Sequence, residues 1–322
     1  MLVPVLLFCL GLVMLIKGGD WFVDGATGIA RKFHLPELLI GATVVSIGTT
    51  LPEVMVSTAS ALTGHGEIAY GNAIGSVICN TALIAAITVA VRPGRVDPKT
   101  LRLPVCFFFL AAVIYAAVAY TVGYFSRIIG VGMLCIFVVY MVMTVLQMRK
   151  NPSPQEGESE EAGEETPMGK AVLQLVVGAA AIAVGARLLV DNGTLIAQAL
   201  GVPESVIGLT IVALGTSLPE LVTAITALAK GHGALSLGNV IGANLFNLVL
   251  VSGVSVTLAP FSIPQSSMLF GYNASLVRDI PVMFLVMLLL TLPALIKGKL
   301  HRGQGIALLV IYAAFCVAQF AL

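Results

Sequence analysis

Two matching stretches, SIGTTLPEVMVS at residues 46–57 and ALGTSLPELVTA at residues 213–224, decide how this chain folds. Each places a glutamate, Glu53 or Glu220, inside an otherwise apolar run. A charge at the centre of a membrane-spanning helix costs about 2.5–3.5 kcal/mol on insertion scales, so such residues usually face the interior of a helix bundle. Because neither stretch has a lysine or arginine nearby, we expect the partner of each carboxylate to be a bound cation or a proton.

The two stretches belong to a longer internal repeat with a constant offset of 167 residues. Residues 36–80 and 203–247 share 19 identities in 45 aligned positions, and a Gly-His-Gly turn recurs in both. Each half of the chain holds five apolar candidate spans, and an odd number makes the second copy enter the membrane from the opposite side. Inverted repeats of this kind are an architecture of secondary transporters, which bind their substrates near the midplane.

The composition of the whole chain is that of a membrane protein. Of its 322 residues, 58% are hydrophobic and only 10% are charged, whereas soluble domains carry roughly 25% charged residues. A net charge of +1 gives no basic excess that would indicate nucleic-acid binding. We therefore predict an all-α membrane protein with ten transmembrane helices in two inverted five-helix repeats, with broken core helices. The predicted spans cover approximately residues 2–30, 36–63, 68–91, 103–122, 127–148, 169–199, 204–229, 235–259, 279–296 and 304–321.

One polar segment divides the two repeats. We predict repeat 1 over residues 1–150, an acidic cytoplasmic linker over residues 151–168, and repeat 2 over residues 169–322. The linker has six glutamates and too little apolar surface to fold alone. If both termini lie outside the cell membrane, 13 of the 17 basic residues fall on the inner face, which is the asymmetry that the positive-inside rule describes.

Oxygen donors surround both glutamates in the sequence. Pro52 and Pro219 have no amide hydrogen, so the backbone carbonyl four residues earlier loses its helical partner and can bind an ion. Thr49, Thr50, Thr216 and Ser217 add hydroxyl oxygens beside these prolines. With no thiolate or imidazole nearby, the donor set favours hard cations such as Na⁺ or Ca²⁺ over zinc or copper.

A second pair of segments, GNAIGSVICN at 71–80 and GNVIGANLFN at 238–247, follows the glutamate stretches. Ser76 and Asn80 are four residues apart and therefore share one helix face. Asn247 occupies the place that matches Asn80, but Ala243 replaces the serine. We interpret the two asparagines as cation ligands because both recur beside a glutamate stretch.

At these residues the chain resembles the α-repeats of the sodium/calcium exchanger family, part of the cation/calcium antiporter superfamily, in its compact prokaryotic form. The resemblance implies four core helices around a cluster of cation sites. Carried over residue by residue, it implies a ligand set of Glu53, Glu220, Thr49, Thr216, Thr50, Ser217, Asn80, Asn247, Ser76 and the backbone of Ala213. Two positions depart from the family pattern: Ala243 stands where many members have serine, and Asn247 where some, including potassium-dependent members, have aspartate.

The expected function is secondary active antiport of Ca²⁺ for Na⁺ by alternating access, with Glu53 and Glu220 as shared ligands. The expected partners are these two transported ions and the lipid bilayer, with no cofactor, no nucleic acid and no obligate protein partner. A proton-coupled cation exchanger on the same fold is the main alternative. An intramembrane aspartyl-type enzyme would also pair two carboxylates, but it has no need of the repeated threonines and asparagines. An ion channel fits an inverted repeat with buried paired charges less well than a transporter does.

Overall fold

A computed structural model describes residues 2–150, 167–200, 215–265, 268–269 and 271–321. Most of the predicted linker, residues 151–166, lies outside this part of the chain. The described residues form ten helices. Their bounds are α1 Leu2–Lys32, α2 Glu37–Leu62, α3 Gly66–Val91, α4 Pro98–Thr121, α5 Arg127–Lys150, α6 Met168–Ala199, α7 Leu218–Ala229, α8 Gly233–Leu258, α9 Ser275–Lys297 and α10 Arg302–Ala321.

Nine of the described helices are long and apolar enough to cross a membrane. The other helix, α7, has 12 residues and begins at Leu218, whereas the sequence predicts a span over residues 204–229. Residues 201–214 lie outside the described part of the chain. Pro219 occupies the first turn of α7, where its missing amide hydrogen costs no helical bond.

The core helices contain π-helical segments. In α2 this segment is Gly41–Val45, and the α-helix continues through Pro52 to Leu62. From the sequence, the irregular bonding of α2 is expected at the carbonyl four residues before Pro52, that is, at Gly48. In the structure the irregular segment lies earlier, at Gly41–Val45. In α3 and α8 the π segments are Asn80–Ala85 and Asn247–Val251, so both begin at the repeated asparagines. Single-turn π segments are frequent at functional sites.

The helices rich in Gly, Ser, Thr and Asn lie inside the bundle. The most apolar window of α8 is 83% buried and that of α3 is 72% buried, against 22% for α1 and 11% for α10. Small side chains let helix backbones approach closely in a membrane. These interior helices are therefore the ones that can hold polar side chains away from lipid.

Helix α2 packs directly on α8. A Cβ atom built on Gly238 would lie 2.1 Å from the carbonyl oxygen of Leu38, and one built on Gly242 would lie 2.6 Å from Cα of Ala42. Both distances are too short for any real side chain, so this contact requires glycine. The contact holds the π segment of α2 against the first half of α8.

Helices α1 and α6 form a separate long pair beside this core. A Cβ atom on Gly178 would lie 2.5 Å from the backbone nitrogen of Phe22, so the two backbones touch. The pair meets the core where the Phe22 ring lies against Gly48 and where Gly19 lies against Val222.

Contacts between connecting segments group them into two ends of the bundle. At one end, strand β1 (Tyr124–Phe125) pairs antiparallel with β2 (Phe261–Ser262), and a short hairpin joins β3 (Met268–Leu269) to β4 (Tyr272–Asn273). Gly66 packs against Phe261 at this end. Elsewhere Arg95 and Lys299 form a backbone bridge, which joins the α3–α4 and α9–α10 connections.

The two Gly-His-Gly turns have different neighbours. His65 lies beside Gly66 and hence near β2, whereas His232 contacts Glu37 at the start of α2, with 2.8 Å between Nδ1 and Oε1. Equivalent turns at opposite ends of the bundle are what an inverted repeat requires. The inversion itself, and the face of the membrane to which each end belongs, stay predictions.

Candidate cation site

The two glutamates of the repeated stretches lie buried inside the bundle. Glu53 on α2 is 1% exposed and Glu220 on α7 is 0% exposed. The two helices that carry them, α2 and α7, pack on each other. Oε2 of Glu53 and both carboxylate oxygens of Glu220 have no hydrogen-bond partner among the described residues. A buried charge without a partner is costly, so this arrangement is built for a group that brings positive charge.

The two repeated asparagines show the same lack of partners. Asn80 and Asn247 are fully buried, and neither the oxygen nor the nitrogen of either amide has a hydrogen-bond partner in the part of the chain that the structure describes. Helix α7, which carries Glu220, packs on the π segment that begins at Asn80, and α2, which carries Glu53, packs on the one that begins at Asn247. Each asparagine thus lies on an element that packs against the glutamate helix of the other repeat.

The predicted hydroxyl ligands fall into two groups. Thr50 is buried, and its hydroxyl has no partner within the described ranges. Thr49 instead donates to Oδ1 of Asn239 at 3.2 Å and lies near Glu220. Ser76 donates to Oδ1 of Asn72 at 3.4 Å. Ser217 is buried and Thr216 is half-buried at the start of α7, and Ala213 lies outside the described residues.

Two further asparagines take part in this polar cluster, and the sequence analysis did not include them in the ligand set. Oδ1 of Asn239 accepts hydrogen bonds from Ser46 at 3.3 Å and from Thr49 at 3.2 Å. Asn72 donates to the hydroxyl of Ser57 at 2.8 Å. The sequence contained a signal for Asn72, since Asn72, Ser76 and Asn80 follow one another at intervals of four residues on one helix face.

The chemistry of the cluster is that of neutral oxygens around two carboxylates. The described residues contain no group of three or more His, Cys, Asp or Glu side chains that could hold a metal ion. Amide, hydroxyl and carboxylate oxygens suit hard cations, whereas zinc and copper prefer nitrogen and sulfur. Only two fixed negative charges are present, so ligands of this kind can release a cation as well as bind it.

A multi-pass bundle of apolar helices that buries such a cluster defines an integral membrane protein of the transporter class. The family model for the sodium/calcium exchanger protein matches residues 3–146 and 170–321, and the chain belongs to that family. It is therefore an exchanger and not an enzyme. The family resemblance noted in the sequence is confirmed.

Relatives of known name agree with this assignment. The chain is 31% identical to the sodium/calcium exchanger MaX1 of Methanosarcina acetivorans, over 98% of both chains. It is 38% identical to the membrane protein MJ0091 of Methanocaldococcus jannaschii, over 95% of this chain and 94% of that protein. Among solved structures, the sodium-calcium exchanger NCX_Mj, soaked with 2.5 mM Na⁺ and 10 mM Sr²⁺, superimposes with a TM-score of 0.81 at 34% identity, covering 100% of this chain and 99% of that one.

Proposed function

We propose that this protein exchanges Ca²⁺ for Na⁺ across the cell membrane by alternating access, with Glu53 and Glu220 as ligands that both ions share. The observation that carries this proposal is the set of buried, unpartnered oxygens on the two carboxylates and the two repeated asparagines. Membership of the exchanger family and the similarity to NCX_Mj support the choice of ions.

The proposed ligand set extends beyond these four side chains. Thr50 joins it because its buried hydroxyl has no other partner among the described residues. Thr49 and Ser76 keep their place because a hydroxyl that donates to an asparagine still offers its lone pairs to an ion. Thr216, Ser217 and the backbone of Ala213 complete the set.

The two carboxylates also couple the ions to each other. One Ca²⁺ neutralises both charges, and several Na⁺ ions spread over the neighbouring oxygens do the same. A core with two bare carboxylates crosses the membrane only at a large desolvation cost. The shift between inward-open and outward-open states therefore requires bound ions. This requirement by itself couples Ca²⁺ transport to Na⁺ transport.

The arrangement in the membrane is part of the same proposal. Repeats 1–150 and 169–322 are inverted copies that exchange conformations, which gives two states of similar energy. Both termini lie outside, and the acidic linker 151–168 lies in the cytoplasm. The α1–α6 pair, which packs backbone to backbone as a unit beside the core, is the element that we expect to move against it.

The test is radiolabelled Ca²⁺ uptake into proteoliposomes of the purified protein, loaded with Na⁺, with K⁺, or with a proton gradient. We expect uptake only with internal Na⁺. Glu53→Gln and Glu220→Gln should each lower it at least about 100-fold, since each removes one of two charges that hold the ion in a low-dielectric site. Glu67→Gln, at an exposed position in the first turn of α3, is the matched control and should transport normally.

Each other outcome has a defined meaning. Uptake driven equally well by protons would replace the proposal with proton-coupled exchange on the same fold. Uptake without any counter-ion gradient would indicate a channel. Normal Na⁺-driven uptake by both glutamine variants would remove the carboxylates from the mechanism.

A further inference from the structure

A cavity of about 250 Å³ opens between the end of α3, the α3–α4 connection and the turn that leads into α8. Its lining includes Thr88, Arg92, Arg95, Gly233 and Ser236. The positive-inside pattern predicts that this end of the bundle faces the cytoplasm. The exchange mechanism proposed above does not involve this cavity, because none of the residues that line it belongs to the proposed ligand set.

The charge on the cavity wall is positive. Arg92 and Arg95 both line it, and none of the described residues that line it is acidic. The carboxylate of Glu37, near the start of α8, is 2.8 Å from Nδ1 of His232 and is not part of the lining. Arg92 also donates from Nη1 to the carbonyl oxygen of Leu228 at 3.3 Å, which fixes its side chain across the cavity edge. Two guanidinium groups at one site repel a cation and attract an anion, so the cavity does not suit an entry path for Ca²⁺ or Na⁺.

The start of helix α8 contributes a second positive element. Gly233 is the first residue of α8, and Gly233, Ala234 and Ser236 line the cavity. The first amide groups of a helix have no acceptor within the helix, and they carry the positive end of its dipole. The N-cap residue His232 makes no side-chain capping hydrogen bond, so its side chain does not occupy these amides, and they can bind an anion.

Ser236 gives an independent indication of a ligand. It lines the cavity, is 2% exposed, and its hydroxyl oxygen has no hydrogen-bond partner among the described residues. A buried serine in a helix usually donates to a backbone carbonyl of the preceding turn. An unpartnered hydroxyl beside two arginines and a helix N-terminus is complementary to an oxyanion that accepts its hydrogen bond.

We infer that this cavity binds a phosphate group, held by Arg92, Arg95, the hydroxyl of Ser236 and the first amides of α8. Its volume is below the roughly 300–1,000 Å³ of sites for drug-sized ligands, which suits a phosphate or a small phosphate-bearing headgroup. The phosphate belongs either to an anionic phospholipid of the inner leaflet or to free inorganic phosphate, and the recognition chemistry is the same for both.

The experiment measures binding on the intact purified protein, separately from transport. One arm titrates inorganic phosphate in a neutral detergent and follows the thermal unfolding midpoint, which a specific ligand raises in a saturable way. The other arm reconstitutes the protein in nanodiscs of phosphatidylcholine with or without phosphatidylglycerol, and counts retained phosphatidylglycerol by native mass spectrometry. Saturable binding in the first arm assigns the site to free phosphate, and retention in the second arm alone assigns it to lipid.

The variants separate a built site from general attraction to basic residues. Arg95→Gln and Ser236→Ala should each weaken binding about tenfold, which is the usual effect of losing one hydrogen bond to a charged group, and Arg95→Lys should weaken it less. Arg102→Gln removes the same charge from an exposed position at the same end of the bundle, outside the cavity, and should leave binding unchanged. Equal losses in Arg102→Gln and Arg95→Gln, or no binding in either arm, would overturn the inference. Ser236→Ala removes a single oxygen atom, so binding measured on this variant tests the inference even if the arginine variants do not fold.

Discussion

Asn239 is the residue on which two hydroxyl groups near the glutamates converge, since its Oδ1 accepts from both Ser46 and Thr49. Leucine has the same branched shape as asparagine but no acceptor. Ser46 keeps the carbonyl oxygens of Gly41 at 2.8 Å and of residue 239 at 3.0 Å, whereas Thr49 keeps only a long bond to the Ser46 carbonyl at 3.4 Å among the described residues. Loss of the better acceptor of Thr49 costs about 1 kcal/mol. We expect Asn239→Leu to lower the unfolding midpoint and to weaken Ca²⁺ affinity about tenfold, because Thr49 loses its fixed orientation.

The effect on affinity separates positioning from simple destabilisation. Thr49→Val should also weaken Ca²⁺ affinity. In the double variant with Asn239→Leu the two losses of affinity should not add, because both changes remove the same oriented hydroxyl. Asn192→Leu removes a buried asparagine whose hydrogen bond within the described residues goes to Leu188 on its own helix, so it should lower stability without changing Ca²⁺ affinity. Additive losses of affinity in the Thr49–Asn239 double variant would show that Asn239 does not act through Thr49.

Ala243 gives a prediction of the opposite sign. It is fully buried and stands four residues before Asn247, where the first repeat has Ser76 four residues before Asn80. Ala243→Ser adds one hydroxyl oxygen to the proposed Na⁺ ligands and should lower the Na⁺ concentration for half-maximal Ca²⁺ exchange by about threefold to tenfold. Flux measured against internal Na⁺ tests this. An unchanged Na⁺ dependence in a normally folded variant would place position 243 outside the ion path.

The sequence predicts the centre of the candidate site better than its surroundings. Glu53, Glu220 and the two repeated asparagines stand out because each is polar inside an apolar run and each recurs. Asn239 did not stand out as a ligand-holding residue, because its partners Ser46 and Thr49 lie 193 and 190 residues away. A partner at such a distance is set by how α2 packs on α8, which no local pattern contains.

At the scale of elements, the contact between α2 and α8 leaves no room for a side chain at Gly238 or Gly242. Gly238→Ala places a methyl group against the Leu38 carbonyl, and Gly242→Ala places one against Ala42. Backbone atoms give way only by separating the helices, so each variant should lose about 2 kcal/mol or more of stability, within the range for overpacked sites. Thermal unfolding in detergent, with Ca²⁺ flux alongside, measures both consequences.

Gly132 in α5 is the matched control for these changes. A Cβ atom there meets nothing within 4 Å among the described residues, and alanine is the better helix former by about 0.5–1 kcal/mol. Gly132→Ala should therefore leave stability unchanged or raise it slightly. If Gly238→Ala and Gly242→Ala behaved in the same way, the close approach of α2 and α8 would be wrong.

Nine of the ten predicted spans match described helices closely, and the reason is the same one that makes membrane helices easy to recognise. Every backbone group in lipid has to be bonded within its own helix, so each span is a long apolar run with polar ends. The position of irregular backbone was less predictable. Pro52 was expected to break α2, yet the helix continues past it and the π segment lies at Gly41–Val45. Bulges of this kind depend on the neighbouring helix as much as on the local sequence.

At the scale of the whole molecule, ion pairs of one lysine link helix α1 of the α1–α6 pair to the core. Lys230, in the turn between α7 and α8, lies 2.6 Å from Asp24 and 3.5 Å from Asp20 on α1, measured from Nζ to Oδ1. The equivalent of Asp24 in the second repeat, Asp191, pairs instead with Arg187 on its own helix at 3.5 Å. Among the described residues, the ion pair between α1 and the core therefore has no counterpart formed by Asp191 in the second repeat.

If α1 and α6 move against the core during exchange, this link stabilises the state in which α1 lies beside Lys230. The pair is partly exposed, so its contribution is at most about 1 kcal/mol, and Lys230→Gln or Asp24→Asn should change the ratio of Ca²⁺ affinities at the two membrane faces by about twofold to fivefold. Flux from oriented vesicles, loaded from either side, gives that ratio. The charge-exchanged variant Asp24→Lys with Lys230→Asp should restore it, whereas Asp191→Asn, which breaks a pair within one helix, should not alter it. The affinity ratio could also shift as much in Asp191→Asn as in Asp24→Asn. That result would mean that the balance between the two states depends on the charge of the α1–α6 pair and not on its link to the core.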